Sequence, residues 1–159
     1  MLLHWLLPLP PVRYTWGLGA SGQLGHRSLQ GRRCYEALPR KVVALEWTKV
    51  ESVACGRAHT TAVSCRGGLY IWGGGREGQL GIGRRESGSI GLGGNFWEGA
   101  VQNTPLLVLP RGVRDVACGQ DHTLATGIEG RIIGWGYNSC GQAATGRESY
   151  AWLPTPIDW

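Results

Sequence analysis

One pattern occurs three times in this chain and limits its fold more than any other feature: tryptophan–glycine, four variable residues, then glycine–glutamine. The copies start at Trp16, Trp72 and Trp135, at intervals of 56 and 63 residues. Their shared later positions are Gly17, Gly22 and Gln23, then Gly73, Gly78 and Gln79, and finally Gly136, Gly141 and Gln142. Self-similarity at so long a period is typical of repeat architectures, in which each unit completes its core against its neighbours. The sequence therefore predicts a row of similar, stacked units.

A second element repeats with the same period, ahead of the last two tryptophans. It reads alanine–cysteine–glycine, two variable residues, then histidine–threonine, and it comprises Cys55, Gly56, His59 and Thr60, then Cys118, Gly119, His122 and Thr123. A side chain that returns with the unit is expected to be structural rather than catalytic. We therefore predict that the histidines hold a turn through hydrogen bonds from their ring nitrogens to the backbone. We also predict that the cysteines are small buried residues, and that the tryptophans pack where neighbouring units meet.

Short apolar stretches bounded by glycine or proline predict strands, and no segment has a helical apolar period of sufficient length. The eight predicted strands are 41–46, 49–55, 60–64, 69–72, 106–109, 113–118, 123–126 and 131–135. The predicted fold class is all-β, with four short antiparallel strands per unit, as in a propeller blade. The longer second interval indicates a Gly-rich loop at 82–104. Because Ala143-Ala144 replaces leucine–glycine after Gln142, the third turn is expected to differ.

The order of these motifs resembles the repeat of the regulator of chromosome condensation family, over residues 14–159. Members of that family fold as seven-bladed β-propellers, so the resemblance implies about three blades here, in an open or incomplete array. The implied units are a partial repeat at 13–48 and full repeats at 49–111 and 112–159, after a non-repeat segment at 1–12. Because the repeat pattern begins abruptly at Arg13, our hypothesis is that segment 1–12 is a non-native start. So few blades cannot close a ring. We therefore expect either a fragment of a larger propeller or self-association through open blade edges.

Two copies of the tryptophan motif also contain the dinucleotide fingerprint G-x-G-x-x-G, at 17–22 and 73–78. That fingerprint holds a pyrophosphate only where a helix begins directly after it, and glycine–glutamine–leucine–glycine is a poor helix start. No serine elbow, P-loop or zinc-ligand spacing occurs either. The sequence therefore predicts no cofactor, no metal site and no catalytic residues, and the protein is expected not to be an enzyme.

Cysteine usage and charge bear on the compartment and the partner. Five cysteines without paired spacing favour an intracellular protein, cytoplasmic or nuclear, over a secreted disulfide framework. The apolar amino-terminal stretch is too short and too rich in proline to cross a membrane. Part of the net charge of +5 lies in a basic strip, which is either a solvated loop or a surface for an acidic partner or nucleic acid. The strip contains Arg27, Arg32, Arg33, Arg40, Lys41 and Lys49.

The predicted function is a non-catalytic scaffold that binds a protein partner, with Phe96 and Trp97 in the long loop as candidate contacts. The resemblance implies an alternative, guanine nucleotide exchange on a small GTPase, and chromatin is a further candidate partner. A third interpretation is a UV-B photoreceptor, whose repeats carry Gly-Trp-Arg-His-Thr at the histidine element. It is disfavoured because the residues before His59 are Arg57-Ala58 and those before His122 are Gln120-Asp121, without tryptophan.

Overall fold

The computed structural model describes residues 13–27, 35–83, 101–146 and 148–157. These ranges contain ten strands, one short 3-10 helix at Val43–Leu45 and no α-helix. No helix within them is long and apolar enough to cross a membrane. Phe96 and Trp97 lie outside the described residues, as does segment 1–12. The strands are β1 Tyr14–Leu18, β2 Tyr35–Lys41, β3 Val50–Cys55, β4 His59–Ser64, β5 Leu69–Gly74, β6 Val101–Leu109, β7 Val113–Cys118, β8 His122–Gly127, β9 Ile132–Tyr137 and β10 Tyr150–Ile157.

The described strands form three antiparallel sheets, each in the order of the sequence. β1 pairs with β2, β3 to β6 form a four-stranded meander, and β7 to β10 form a second one. Such meanders are the blades of a β-propeller, and the predicted all-β fold class is confirmed. The register pairs His59 with Gly73, and His122 with Gly136. The two repeated sequence elements are thereby brought together at the same end of each four-stranded sheet.

The second sheet has an apolar cluster on each of its faces. Side chains alternate between the faces of a strand, so the neighbours Ala62 and Val63 belong to different clusters, as do Ile71 and Trp72. Because both faces are covered, all six residues of β4 are buried. One cluster contains Val42, Leu45, Val50, Ala62 and Trp72. The other joins the second sheet to the third and contains Val63, Leu69, Ile71, Leu80, Val113, Val116, Ala125, Trp135 and Ala151.

The predicted strand at 41–46 is wrong, because β2 ends at Lys41 and a 3-10 helix follows. Residues three apart share one face of such a helix. Val42 and Leu45 are accordingly buried, whereas Val43 is 68% exposed. β1, β2 and β10 were not among the eight predicted strands. β6 begins at Val101 and so takes in the last residues of the predicted loop.

Candidate interaction site

Each glycine–glutamine pair closes a tight turn after the strand that carries the tryptophan. The glutamine side-chain oxygen accepts a hydrogen bond from the amide two residues earlier, at 2.8 Å in all three copies. The third copy keeps the turn, so the prediction that it would differ is wrong. Ala144 donates its amide to the Gly141 carbonyl at 3.0 Å, and it adopts a left-handed φ of 53° where Gly81 has 66°.

The turn presents its glutamine main-chain carbonyl to the following sheet. The Gln79 carbonyl accepts hydrogen bonds from Thr123 Oγ1 at 3.0 Å and from Trp135 Nε1 at 2.9 Å. One repeat earlier, the Gln23 carbonyl accepts the same pair of bonds from Thr60 Oγ1 and Trp72 Nε1, at 2.9 and 2.8 Å. The repeated tryptophan, threonine and glutamine therefore form one joint between adjacent sheets. A hydrogen bond of this kind contributes about 1 kcal/mol, and leaving its buried partner unpaired costs more.

His59, on the sheet before Thr123, also contacts this joint. Its Nε2 lies 3.0 Å from Thr123 Oγ1. Because that hydroxyl donates its only proton to the Gln79 carbonyl, it accepts from His59, which therefore carries its proton on Nε2. The prediction of backbone bonds is wrong for this ring, since its Nδ1 is buried without a hydrogen-bond partner in the described structure. Burial lowers the pKa of His59 to about 4, so the ring is neutral at physiological pH.

Glycine is required beneath each histidine. A Cβ placed on Gly56 would overlap the ring of His59, and one on Gly119 would overlap the ring of His122. His122 is only half-buried, and burial lowers its pKa as well. Within the described residues no threonine hydroxyl approaches His122 in the way that Thr123 approaches His59.

Burial separates the three tryptophans. Trp72 and Trp135 are 2% and 0% exposed, whereas Trp16 is 36% exposed. The prediction that each packs between units is therefore wrong for Trp16, because no preceding glutamine turn is described that its indole could reach.

The two cysteines of the repeated element also differ in burial. Cys118 is half-buried, and its Sγ lies 3.4 Å from Thr61 Oγ1 of the preceding sheet. Burial raises the pKa of the Cys118 thiol to about 11. Cys55 is exposed, so the prediction of a buried residue is wrong there. The strand that covers Cys118 belongs to the sheet before it, and no equivalent strand is described before β3.

Polar pairs between the two complete sheets were missed by the sequence reasoning. Arg57 donates to Asp121 at 2.9 Å, and Ser52 donates to Asp115 at 2.6 Å. The hydrogen bond from Ser52 lowers the pKa of Asp115. Gln79 Nε2 also approaches Asp121, at 3.4 Å. The Arg57–Asp121 pair has no signal in the sequence, because it joins non-equivalent positions of two repeats. Ser52 and Asp115 occupy the same repeat position, 63 residues apart, but differ in residue type.

Beside this joint lies a cluster of three aromatic side chains. The ring centroids of Tyr137 and Tyr150 are 5.5 Å apart, and Tyr150 stacks on Trp152 at 5.6 Å and 25°. Trp152 packs over Gly78, where an added Cβ would lie 3.3 Å from the indole. Tyr150 is 39% exposed, and the charge of Glu77 raises its pKa. Tyr150 and Trp152 are two apart on β10, so the alternation Tyr-Ala-Trp was the available signal for this cluster.

These sheets and their joints define a β-propeller repeat protein. The "Regulator of chromosome condensation (RCC1) repeat" family matches residues 14–63 and 66–126, and a second family of the same description matches residues 50–79 and 113–142. Because the first covers more than half of the chain, the chain belongs to the regulator of chromosome condensation repeat family, as its motifs indicated.

Several characterised proteins are similar over nearly the whole chain. "Probable E3 ubiquitin-protein ligase HERC6" of Homo sapiens is 36% identical over 91% of this chain, and "Ultraviolet-B receptor UVR8" of Arabidopsis thaliana is 34% identical over 90%. "RCC1 domain-containing protein RUG3, mitochondrial" of Arabidopsis thaliana is 33% identical over 91%. The aligned part makes up 13%, 29% and 30% of those proteins, respectively.

Solved structures agree with the fold. Yeast RCC1 (Prp20), in its complex with Kap60, superposes with a TM-score of 0.80 over 94% of this chain and 33% of its own, at 21% identity. Human WBSCR16 superposes with a TM-score of 0.72 over 91% of this chain and 35% of its own, at 27% identity. At 21% identity, the likeness to Prp20 shows the fold alone.

Proposed function

We propose that this chain is a non-catalytic protein-interaction scaffold built of propeller repeats. The repeated side chains support this interpretation, because the joint between sheets uses them. The Gln79 carbonyl accepts hydrogen bonds from Thr123 and Trp135 of the next sheet, and all three residues are almost fully buried. Contact with another molecule is therefore left to side chains that do not repeat.

The observation that carries the proposal is the aromatic cluster of Tyr137, Tyr150 and Trp152, in which Tyr150 is exposed and the other two rings are half-buried. Tyrosine and tryptophan are enriched among the residues that contribute most to binding at protein interfaces. Each offers a large apolar surface with little rotamer freedom to lose. Stacking within the cluster holds Tyr150 in place before a partner arrives, which lowers the entropic cost of binding.

A photo-crosslinking experiment tests this function. A photoreactive phenylalanine derivative at position 150 is expected to crosslink a protein partner in cells. The purified partner should then bind the chain with an affinity that Tyr150→Ala weakens by about tenfold or more. Tyr35→Ala is the matched control, since Tyr35 is 56% exposed but lies on β2. Unchanged affinity of Tyr150→Ala for the crosslinked protein would refute the proposed site.

The alternative is guanine nucleotide exchange on a small GTPase. Prp20p of Saccharomyces cerevisiae, which has the same fold at 22% identity, binds Gsp1p and histones, so a GTPase or chromatin is a candidate partner. A nucleotide-release assay against a panel of small GTPases separates the two functions. Accelerated release would favour exchange over the scaffold, and unchanged release across the panel is expected for a scaffold.

We also propose a reducing compartment, the cytoplasm or nucleus. Three cysteines in the described residues, Cys65, Cys118 and Cys140, are free thiols, which suits such a compartment. Sensing of UV-B by the mechanism of the photoreceptor stays disfavoured, because the described repeats have no tryptophan beside His59 or His122.

A further inference from the structure

An open groove of about 720 Å³ lies at the end of the two complete sheets opposite the glycine–glutamine turns. Three connections form it: the β4–β5 turn at 65–68, the β6–β7 link at 110–112 and the β8–β9 turn at 128–131. Backbone hydrogen bonds tie them together. Val113 donates to the Gly67 carbonyl at 3.0 Å, and Ile128 donates to the Gly112 carbonyl at 2.9 Å. The groove wall is therefore continuous from one sheet to the next.

Positive charge predominates along this wall. Two glutamates, Glu51 and Glu129, line the groove together with four exposed arginines, Arg66, Arg111, Arg114 and Arg131. Arg131 lies 3.8 Å from Glu129. The other three guanidinium groups have no carboxylate within 4 Å in the part of the chain that the structure describes. Three exposed forked donors therefore form no ion pair, although Arg114 interacts at longer range with its neighbour Asp115, and this geometry suits a carboxylate partner.

Apolar side chains lie among the arginines and identify the class of ligand. Ile128 is 71% exposed, and Val113 and Ile133 also line the groove. No aromatic ring is among its described lining residues, so it lacks the stacking surface typical of single-stranded nucleic-acid sites. The two glutamates would repel a continuous phosphate backbone, whereas a peptide can place an apolar residue there.

The geometry points to a binding site for an acidic peptide of a partner protein, in which glutamate or aspartate residues flank an apolar side chain. Arg66, Arg111 and Arg114 bind its carboxylates, and the apolar residue contacts Ile128. This inference adds a second contact surface to the proposed scaffold. The groove lies at the opposite end of the sheets from Tyr150, so an experiment can refute one of the two contact surfaces without refuting the other.

Fluorescence anisotropy with a designed probe tests the site. The probe is a fluorescein-labelled peptide with glutamates on both sides of one leucine, and its control replaces every glutamate by glutamine. We expect the acidic peptide to bind and the glutamine peptide not to. Because the charges are exposed, binding should weaken as salt is added. Arg66→Gln with Arg111→Gln should weaken it about tenfold, as the loss of two exposed charge pairs implies.

Matched controls separate the groove from general charge. Arg27→Gln removes an exposed arginine on the turn side of the sheets and should leave the affinity unchanged. Ile128→Ser should weaken binding while keeping the charge. The melting temperature of each variant shows whether its fold is intact. The proposal is overturned if the glutamine peptide binds equally well, if Arg27→Gln has the same effect as the double variant, or if single-stranded DNA binds more tightly than the acidic peptide.

Discussion

The buried ring of His59 predicts that the protein loses stability as the pH falls from 6.5 to 4. Burial lowers its pKa from 6.5 to about 4, against a smaller opposing effect of Asp121. In the unfolded chain the pKa of the ring returns to its ordinary value of 6.5. Below pH 6.5 the unfolded state therefore binds a proton that the folded state does not. The free energy of unfolding falls by up to about 1.4 kcal/mol per pH unit, until the folded ring also titrates near pH 4.

The two pKa values set the size of the effect. Between about pH 7.5 and 4.5, they imply a loss of roughly 2–3 kcal/mol from this one ring. A typical domain is stable by roughly 5–15 kcal/mol, so the loss is readily measured. Protonation also places a second proton on a ring whose Nδ1 is buried without an acceptor, and this is consistent with the direction of the shift.

Urea denaturation followed by tryptophan fluorescence measures the free energy of unfolding at several pH values in this range. In His59→Gln, the amide nitrogen replaces the Nε2 donor to Thr123 but does not titrate. We expect the variant to be less stable near pH 7.5 and to lose roughly 2–3 kcal/mol less than the wild type on acidification. His122→Gln is the matched control. Because His122 is only half-buried, its substitution should change the pH dependence less.

Parallel plots of unfolding free energy against pH for the wild type and His59→Gln would refute this reasoning. The other titrating groups are common to both proteins and cancel in the difference. A parallel result would mean that the pKa of His59 is similar in the folded and unfolded states. The ring would then not be buried in its neutral form.

Three further predictions concern the turns and the joint, and each is measured as a change in the free energy of unfolding. Thr123→Val should cost about 1–3 kcal/mol, because it leaves the buried Nε2 donor of His59 unpaired and removes one of the two hydrogen bonds to the Gln79 carbonyl. Thr155→Val removes only a local bond, and equal costs would contradict the joint. Gly81→Ala should cost more than Gly130→Ala. Both have positive φ, but a Cβ at 81 would lie 2.9 Å from the indole nitrogen of the next sheet, and one at 130 meets nothing within 4 Å. Ala144→Gly should stabilise the protein by about 1 kcal/mol by relieving a left-handed alanine, and destabilisation would contradict that conformation.

Local features of the fold were predictable because their causes lie within a few residues. In each turn the side-chain oxygen of the glutamine accepts a hydrogen bond from the main-chain amide two residues earlier. The turn glycines have the positive φ that other residues disfavour. Strand alternation and the turn signals identified most of the central strands. The stretch 42–45 was misread because four apolar residues fit a buried strand and a 3-10 turn equally well.

The candidate surfaces were not predictable in the same way. The aromatic cluster needs β9 and β10 to pair before Tyr137 meets Tyr150. The basic groove needs turns from two sheets to meet, so its arginines come from separate parts of the sequence. Tests of Tyr150 and of Arg66 with Arg111 therefore examine features that depend on tertiary contacts.

The sequence by itself determined that this protein is a row of β-propeller repeats, because the tryptophan, glutamine and histidine elements return with the unit and their turns close locally. Only the tertiary structure decided what each copy does. Trp16 and Trp135 occupy the same motif position, yet one is 36% exposed and the other fully buried. The physical reason is that the tryptophan of one repeat needs the glutamine turn of the preceding repeat to form the joint. Trp135 is buried where the preceding turn presents the Gln79 carbonyl to its indole, and the described residues include no such turn before Trp16.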